Sequence, residues 1–218
     1  MSIKRLFFDF DGTIADSSPG IFNGIRYACK KLGLPQLSEK QLKTFVGPPL
    51  LESFQKQFNL TAEKAEAAVV AYREYYKDQG LTEFTIYSGM AEILAQLSAT
   101  YEIYVATSKP ELFAKKMLQN ANLADYFKGI YGADLAGERI KKADVIKYGL
   151  DQLPIMNSSE MIMVGDRSHD IIGAKANHLR SVGVLFGFGS QEEFIEAGAD
   201  WIIEKPQELL EIVKKESK

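Results

Sequence analysis

Hydrophobic and polar positions alternate along this chain in two different periods, and the change between them divides it. Leu6-Phe7-Phe8 is an apolar run that reads as a buried strand, and it stops at Asp9-Phe10-Asp11-Gly12-Thr13. The period then becomes helical. Ser17 is a candidate N-cap, Pro19 suits a first turn, and Ile21, Ile25, Ala28, Cys29 and Leu32 recur at helical spacing up to the stop at Gly33. Ser38-Glu39-Lys40-Gln41 is a capping-box sequence for a short helix to about Val46, broken by Gly47-Pro48-Pro49. A helix over about Leu50–Phe58 follows. A longer one is capped by Thr61 and carries Ala65, Ala68, Val69, Tyr72 and Tyr76 on one stripe to near Gly80. Residues 15–84 thus form a helical block without strand signal.

Beyond Ser88 strands and helices take turns. Helices are predicted over Gly89–Leu97, Pro110–Asn120, Ala143–Leu153, Asp170–Asn177, Ser190–Ala197 and Pro206–Lys214, the fifth opening on a second capping box, Ser190 with Glu193. Strands are predicted over Tyr101–Thr107, Gly129–Gly132, Met161–Val164, Ser181–Leu185 and Trp201–Ile203. Such alternation means βαβ units and a parallel sheet covered on both faces. The expected fold is α/β: a doubly wound, Rossmann-like core of residues 1–14 and 85–218, interrupted after its first strand by a helical domain of residues 15–84.

Bulk properties narrow the field. At 218 residues, 46% hydrophobic and 25% charged, the chain has the make-up of an ordinary globular protein with a sizeable core. A net charge of -3 argues against a general attraction to nucleic acid or to an anionic membrane. The single cysteine, Cys29, leaves no intrachain disulfide and no cysteine-rich metal site, and reads as a small core residue. Met1 leads directly into the first strand, leaving no room for a secretory signal, and no apolar run approaches the ~20 residues that span a bilayer. A cytoplasmic location is expected.

In doubly wound sheets ligands bind beyond the carboxyl ends of the strands, where the strand order switches. The first strand delivers Asp9 and Asp11 there, which a bend at Gly12 would let reach one pocket; two crowded acids repel, and a hard cation such as Mg²⁺ offsets the repulsion. The second delivers Thr107-Ser108-Lys109, and Met161–Val164 delivers Gly165-Asp166-Arg167-Ser168-His169-Asp170, with Lys141-Lys142 opening a helix between them. These types suit phosphoryl transfer: a carboxylate as nucleophile, a second as acid and base, hydroxyl and ammonium groups around the phosphoryl oxygens.

In this order the four groups resemble the motifs of the haloacid dehalogenase (HAD) superfamily of phosphatases, and the helical block sits where the family's small helical cap sits. The resemblance implies Asp9 as nucleophile and Mg²⁺ ligand, and Asp11 as general acid and base with its carbonyl on the metal. It implies Thr107 on the phosphate, Asp166 completing the metal site, and Asp170 supporting it through water or the lysine. Gly12, Thr13 and Ser108 belong around the substrate phosphate, and Lys109 could touch an anionic tail. The third-motif lysine is Lys142, because relatives that open this helix with Lys-x-Asp align there; Lys141 is the reserve. In the family, the loop that corresponds to Lys43–Leu50 faces the active site and helps select substrate, which marks Lys43 and Gly47.

The remaining polar candidates read more simply. His169 is a surface position, His178 a C-terminal cap, and Gly187-Phe188-Gly189 a turn before the Ser190 cap. Among rival chemistries, a dehalogenase expels halide and has no use for an acid at Asp11. A receiver-like phospho-switch lacks an inserted helical block, and nothing points to a phosphomutase. The closing pattern, Gly187–Ser190 and Ala197–Asp200, resembles phosphoglycolate phosphatases and nucleotidase-like members. The expected activity is Mg²⁺-dependent hydrolysis of a small phosphorylated metabolite through an aspartyl phosphate, phosphoglycolate-like, with a 5'-nucleotidase or pyrophosphatase as the alternative.

Overall fold

The computed structural model describes residues 3–154 and 157–216. The chain divides into two compact units, residues 1–15 with 86–218, and residues 16–85.

The larger unit is built on a six-stranded parallel sheet. Its strands are β1 (Arg5–Phe8), β4 (Glu102–Pro110), β5 (Gly129–Ala133), β6 (Met161–Gly165), β7 (Arg180–Val184) and β8 (Trp201–Ile203), in the spatial order β5-β4-β1-β6-β7-β8. The central β1 pairs with β4 on one side and β6 on the other, Phe8 standing opposite Val105 and Val164. The order reverses at β1, so the ends of β1, β4 and β6 frame the crevice that a doubly wound sheet offers to ligands. Every residue of β1 is buried, as expected for a strand covered on both faces. Phe7 stacks on Tyr104 at 5.2 Å and joins a core with Ala106, Met161 and Met163 from the sheet and Val145, Ile146 and Ala174 from the helices α7 (Lys142–Asp151) and α8 (Ser168–Ala176). Helices α5 (Met90–Ser98), α6 (Glu111–Asn120), α9 (Gln191–Ala197) and α10 (Glu208–Glu216) complete the unit.

Two boundaries differ from the sequence reading in ways that matter for the site. Strand β4 does not end at Thr107 but runs to Pro110, pairing with β5 as far as Ala133 across an irregularity between Thr107 and Pro110. Glu193 does not close a capping box. Ser190 accepts a hydrogen bond from the Glu193 N–H, but the Glu193 carboxylate accepts from the Ser168 N–H at 2.6 Å and pairs with Arg167 at 3.0 Å. A charged partner outweighed a local cap.

The smaller unit contains α1 (Ser18–Leu32), α2 (Glu39–Lys43), α3 (Leu50–Phe58) and α4 (Ala62–Tyr75), which continues into a π-helical turn over Tyr76–Gly80. Its punctuation follows the sequence. Gly33 ends α1 in the left-handed conformation, Ser38 and Gln41 form the capping box of α2, and Thr61 accepts the Lys64 N–H at the start of α4. Ile25, Ala28 and Cys29 of α1 are buried, as are Ala65, Ala68 and Tyr72 of α4. A Cβ on Gly24 would lie 2.7 Å from the Tyr72 ring, so a glycine is what lets these two helices approach. The block is not strand-free at its ends: Ala15–Asp16 (β2) pairs with Thr85–Ile86 (β3), a ladder too short to register as a period.

Candidate active site

Asp9 follows β1 directly, and its N–H donates to the Val164 carbonyl at 2.9 Å, which extends the β1–β6 ladder by one residue. The chain then turns sharply around the Phe10 carbonyl, which accepts from the Ile14 and Ala15 N–H groups at 3.0 and 3.1 Å. Gly12 has φ +83° in this turn, and a Cβ there would fall 2.0 Å from Oδ2 of Asp166. Only glycine meets both demands. The turn gives the two acids different partners, although Asp11 stays near enough to push the Asp9 carboxyl up. Asp9 is buried beside Asp166 and Asp170, whereas the Asp11 carboxylate receives the Lys109 ammonium at 2.8 and 3.0 Å.

Lys109, expected to reach toward an anionic tail, is engaged by a carboxylate of this chain. Its ammonium lies 5.7 Å from the Phe10 ring centroid, and its side chain is buried. The pleat of the extended β4 explains this placement, since Thr107 and Lys109 are two residues apart and are both buried, while Ser108 between them is half-buried. Thr107 Oγ1 accepts the Lys109 N–H at 3.2 Å. Thr13 is also fully buried, and the N–H groups of Gly12 and Thr13 are engaged by the Ala15 and Phe10 carbonyls.

Lys142, the first residue of α7, reaches back under the sheet ends. Its Nζ donates to the Ala106 carbonyl at 3.0 Å and makes ion pairs with Oδ1 of Asp9 at 2.7 Å and Oδ1 of Asp170 at 2.8 Å. Lys141, the residue before the helix, is exposed. Asp170 is fixed from its other side, since Oδ2 accepts the Arg167 N–H at 3.1 Å. A Cβ on Gly165 would lie 2.2 Å from the Asp170 carboxyl carbon, which makes this strand end dependent on glycine. Asp166 is buried, and its Oδ2 accepts the Phe188 N–H at 2.9 Å. That contact was missed in the sequence reading, where Gly187-Phe188-Gly189 was a plain turn. His169 is exposed and His178 takes the left-handed conformation after α8. Lys43 and Gly47 belong to the helical unit, where Lys43 is exposed at the end of α2 and Gly47 has φ +101°.

Three carboxylates and one ammonium in a buried space perturb each other. Burial pushes the Asp9 carboxyl up, Lys142 pulls it down, and Asp170 and Asp11 push it up again, leaving it at about 6. Asp166 is raised well above the ordinary carboxylate value by burial and then by Asp170 and Asp9. For Lys142, burial opposes the charge, but Asp170 and Asp9 outweigh it and hold the ammonium above the usual lysine value. Oxygens of Asp9, Asp166 and Asp170 come within 4.8 Å of one another. Lys142 takes Oδ1 of Asp9 and of Asp170, while Oδ1 of Asp166 is buried without a hydrogen-bond partner among the described residues. Three buried carboxylates against one ammonium leave hard oxygen donors and negative charge in excess, which is what a small divalent cation requires, so these residues fit one.

Comparison with known proteins agrees with this geometry. Residues 6–184 match the haloacid dehalogenase-like hydrolase family. A 5'-nucleotidase of Pseudomonas aeruginosa is 36% identical over 190 residues, covering 87% of this chain and 86% of its own. A phosphoglycolate phosphatase of Neisseria meningitidis is 32% identical, covering 96% and 93%. The crystal structure of a predicted phosphatase from Clostridium acetobutylicum superposes with a TM-score of 0.94 at 39% identity, covering 99% of this chain and all of that one. The chain belongs to the haloacid dehalogenase-like hydrolases. Within that family it is a phosphatase. Phosphatases of this family generally use Mg²⁺, and no helix among the described residues is long and apolar enough to cross a membrane.

Proposed function

We propose that this phosphatase hydrolyses small phosphate monoesters by passing the phosphoryl group through Asp9. The observation that carries the reading is the Lys142 ammonium lodged between Asp9 and Asp170, with Asp166 beside them and all four residues buried. An acid kept there without catalytic use would only cost stability, whereas a nucleophile must be desolvated, oriented and neutralised.

A Mg²⁺ ion held by Asp9, the Asp11 carbonyl and Asp166 would screen the repulsion between Asp9 and an anionic phosphate. Asp9 attacks phosphorus in line, the bond from phosphorus to the ester oxygen breaks, and Asp11 delivers its proton to that oxygen. Asp11, now a carboxylate, takes a proton from water. The water oxygen bonds to phosphorus, the phosphorus–Asp9 bond breaks, and inorganic phosphate leaves. Thr107 and Lys142 hold phosphoryl oxygens as charge builds, with Ser108, Gly12 and Thr13 lining the same end of the sheet, and Asp170 keeps Lys142 in place.

The helical unit is proposed as the cap that reads the leaving group, with Lys43 and Gly47 at its selective edge, because the groups at the strand ends address only the phosphate that every ester shares. A phosphoglycolate-like substrate follows from the relatives of that name, and a 5'-nucleotide is the second reading, favoured by the Pseudomonas aeruginosa relative. The test is phosphate release from a panel of phosphoglycolate, nucleoside monophosphates, sugar phosphates and pyrophosphate. Activity is expected with Mg²⁺ and not in excess chelator. Acid-quenched single turnovers should carry the phosphoryl group on Asp9, and Asp9→Asn should carry none. Full turnover by Asp9→Asn, or in chelator, would refute the scheme.

A further inference from the structure

We propose that the turn Gly187-Phe188-Gly189 is a clamp that sets the Asp166 carboxylate for a divalent cation, so that its residues are positioning residues of the metal site. The inference rests on the metal-dependent reading given above.

The turn follows β7 and opens α9, and the Ser190 cap accounts for where that helix begins. It does not account for what precedes Ser190. The Phe188 N–H donates to Oδ2 of Asp166 at 2.9 Å, although Asp166 lies 22 residues away and is only 1% exposed. A backbone donor on one carboxylate oxygen fixes the plane of the group. It leaves Oδ1, buried and without a hydrogen-bond partner among the described residues, as the oxygen available to a ligand. A carboxylate oxygen buried in that condition is costly unless something else satisfies it.

The glycines show how tightly the group is held. A Cβ on Gly187 would lie 2.3 Å from the Gly12 carbonyl oxygen, 2.4 Å from Cβ of Asp166 and 2.7 Å from its Oδ2. A Cβ on Gly189 would lie 2.2 Å from the Asp166 carbonyl oxygen. From the turn after β1, a Cβ on Gly12 would meet Oδ2 of Asp166 at 2.0 Å and the Phe188 ring at 2.8 Å. Two turns, one after β1 and one after β7, thus close on the same carboxylate at backbone contact. A loop that merely entered a helix would need neither the paired glycines nor a main-chain donor aimed into the core. Groups that orient a metal ligand in this way are commonly worth about 10–100-fold in metal affinity.

Binding of Mg²⁺ to the full chain, measured by titration calorimetry, tests the clamp. The wild type should bind, Asp166→Asn should lose binding, and Gly187→Ala should bind about 10–100-fold more weakly. Gly137→Ala is the control, because Gly137 also has positive φ (+88°) but no neighbour within 4 Å of an added Cβ; its Mg²⁺ affinity should match the wild type. A second measurement uses the wild type alone: the Phe188 amide resonance should move on saturation with Mg²⁺ while that of Gly137 stays. If the wild type binds, Asp166→Asn does not, and Gly187→Ala binds within threefold of wild type, the turn is packing only and the clamp is refuted. A Phe188 amide indifferent to Mg²⁺ refutes it equally, whether or not Gly187→Ala folds. Absence of binding by the wild type, or undiminished binding by Asp166→Asn, overturns the metal-site reading and the clamp with it.

Discussion

At the scale of single residues, two lysines next to each other in sequence lead opposite lives. Lys141 stays in solvent at the mouth of α7, and Lys142 buries its ammonium against Asp9, Asp170 and the Ala106 carbonyl. Removing Lys142 would leave two buried carboxylates without their cation, a far larger loss than trimming a hydrated side chain. Lys142→Ala is expected to lower kcat on the order of 10²–10³, by analogy with the loss of an oxyanion-hole donor, and Lys141→Ala to change it little. Steady-state rates on one phosphate ester check this, and the reverse ranking would move the role to Lys141. The preference for Lys142 came from the Lys-x-Asp start of its helix. The family resemblance also offered Asp170 a role through the lysine, and the two are paired. What no spacing could convey is that Asp11 would be met by Lys109, since the two lie far apart in sequence and such a pair leaves no periodic trace.

At the scale of elements, the sequence was most informative where local chemistry alone decides. The α3 span, the capping box of α2 and the Gly33 stop of α1 depend on neighbours within a few residues, and they stand where the pattern put them. Strand β4 and the Glu193 side chain departed from the reading because each answers to a distant partner, β5 in one case and Arg167 with Ser168 in the other. The segment from α2 to α3 offers a test of the cap proposal at this scale. Lys43 is exposed, and Gly47 holds a φ that few other residues accept, so Lys43→Ala alters chemistry while Gly47→Ala alters shape. Both substitutions are expected to change kcat/KM for large esters relative to the smallest phosphoryl donor. An equal loss on all substrates would make the segment structural and locate selectivity elsewhere.

At the scale of the whole molecule, the cluster at the strand ends weighs on folding. Asp9, Asp166 and Asp170 against Lys142 amount to three acids and one base in a buried space. An acid held at about 6 in the fold, against an ordinary 3.8, binds its proton more tightly folded than unfolded. Stability from Asp9 is therefore lost as pH rises from about 4 to about 6 and stays lost above it, on the order of 3 kcal/mol at ~1.4 kcal/mol per pKa unit. The raised Asp166 acts in the same direction, while Lys142 stays charged throughout that window and contributes a constant. In chelator, Asp9→Asn is expected to melt above the wild type, by a margin that widens from pH 4.5 to pH 7 and shrinks when Mg²⁺ is added. A margin that stays constant with pH would contradict this account. The inactive chain would then be the sturdier one, and the wild type would trade durability for a poised carboxylate. A cation filling the cluster would also act as a folding ligand, so that metal supply would govern how much of the protein persists, and not only how fast it works.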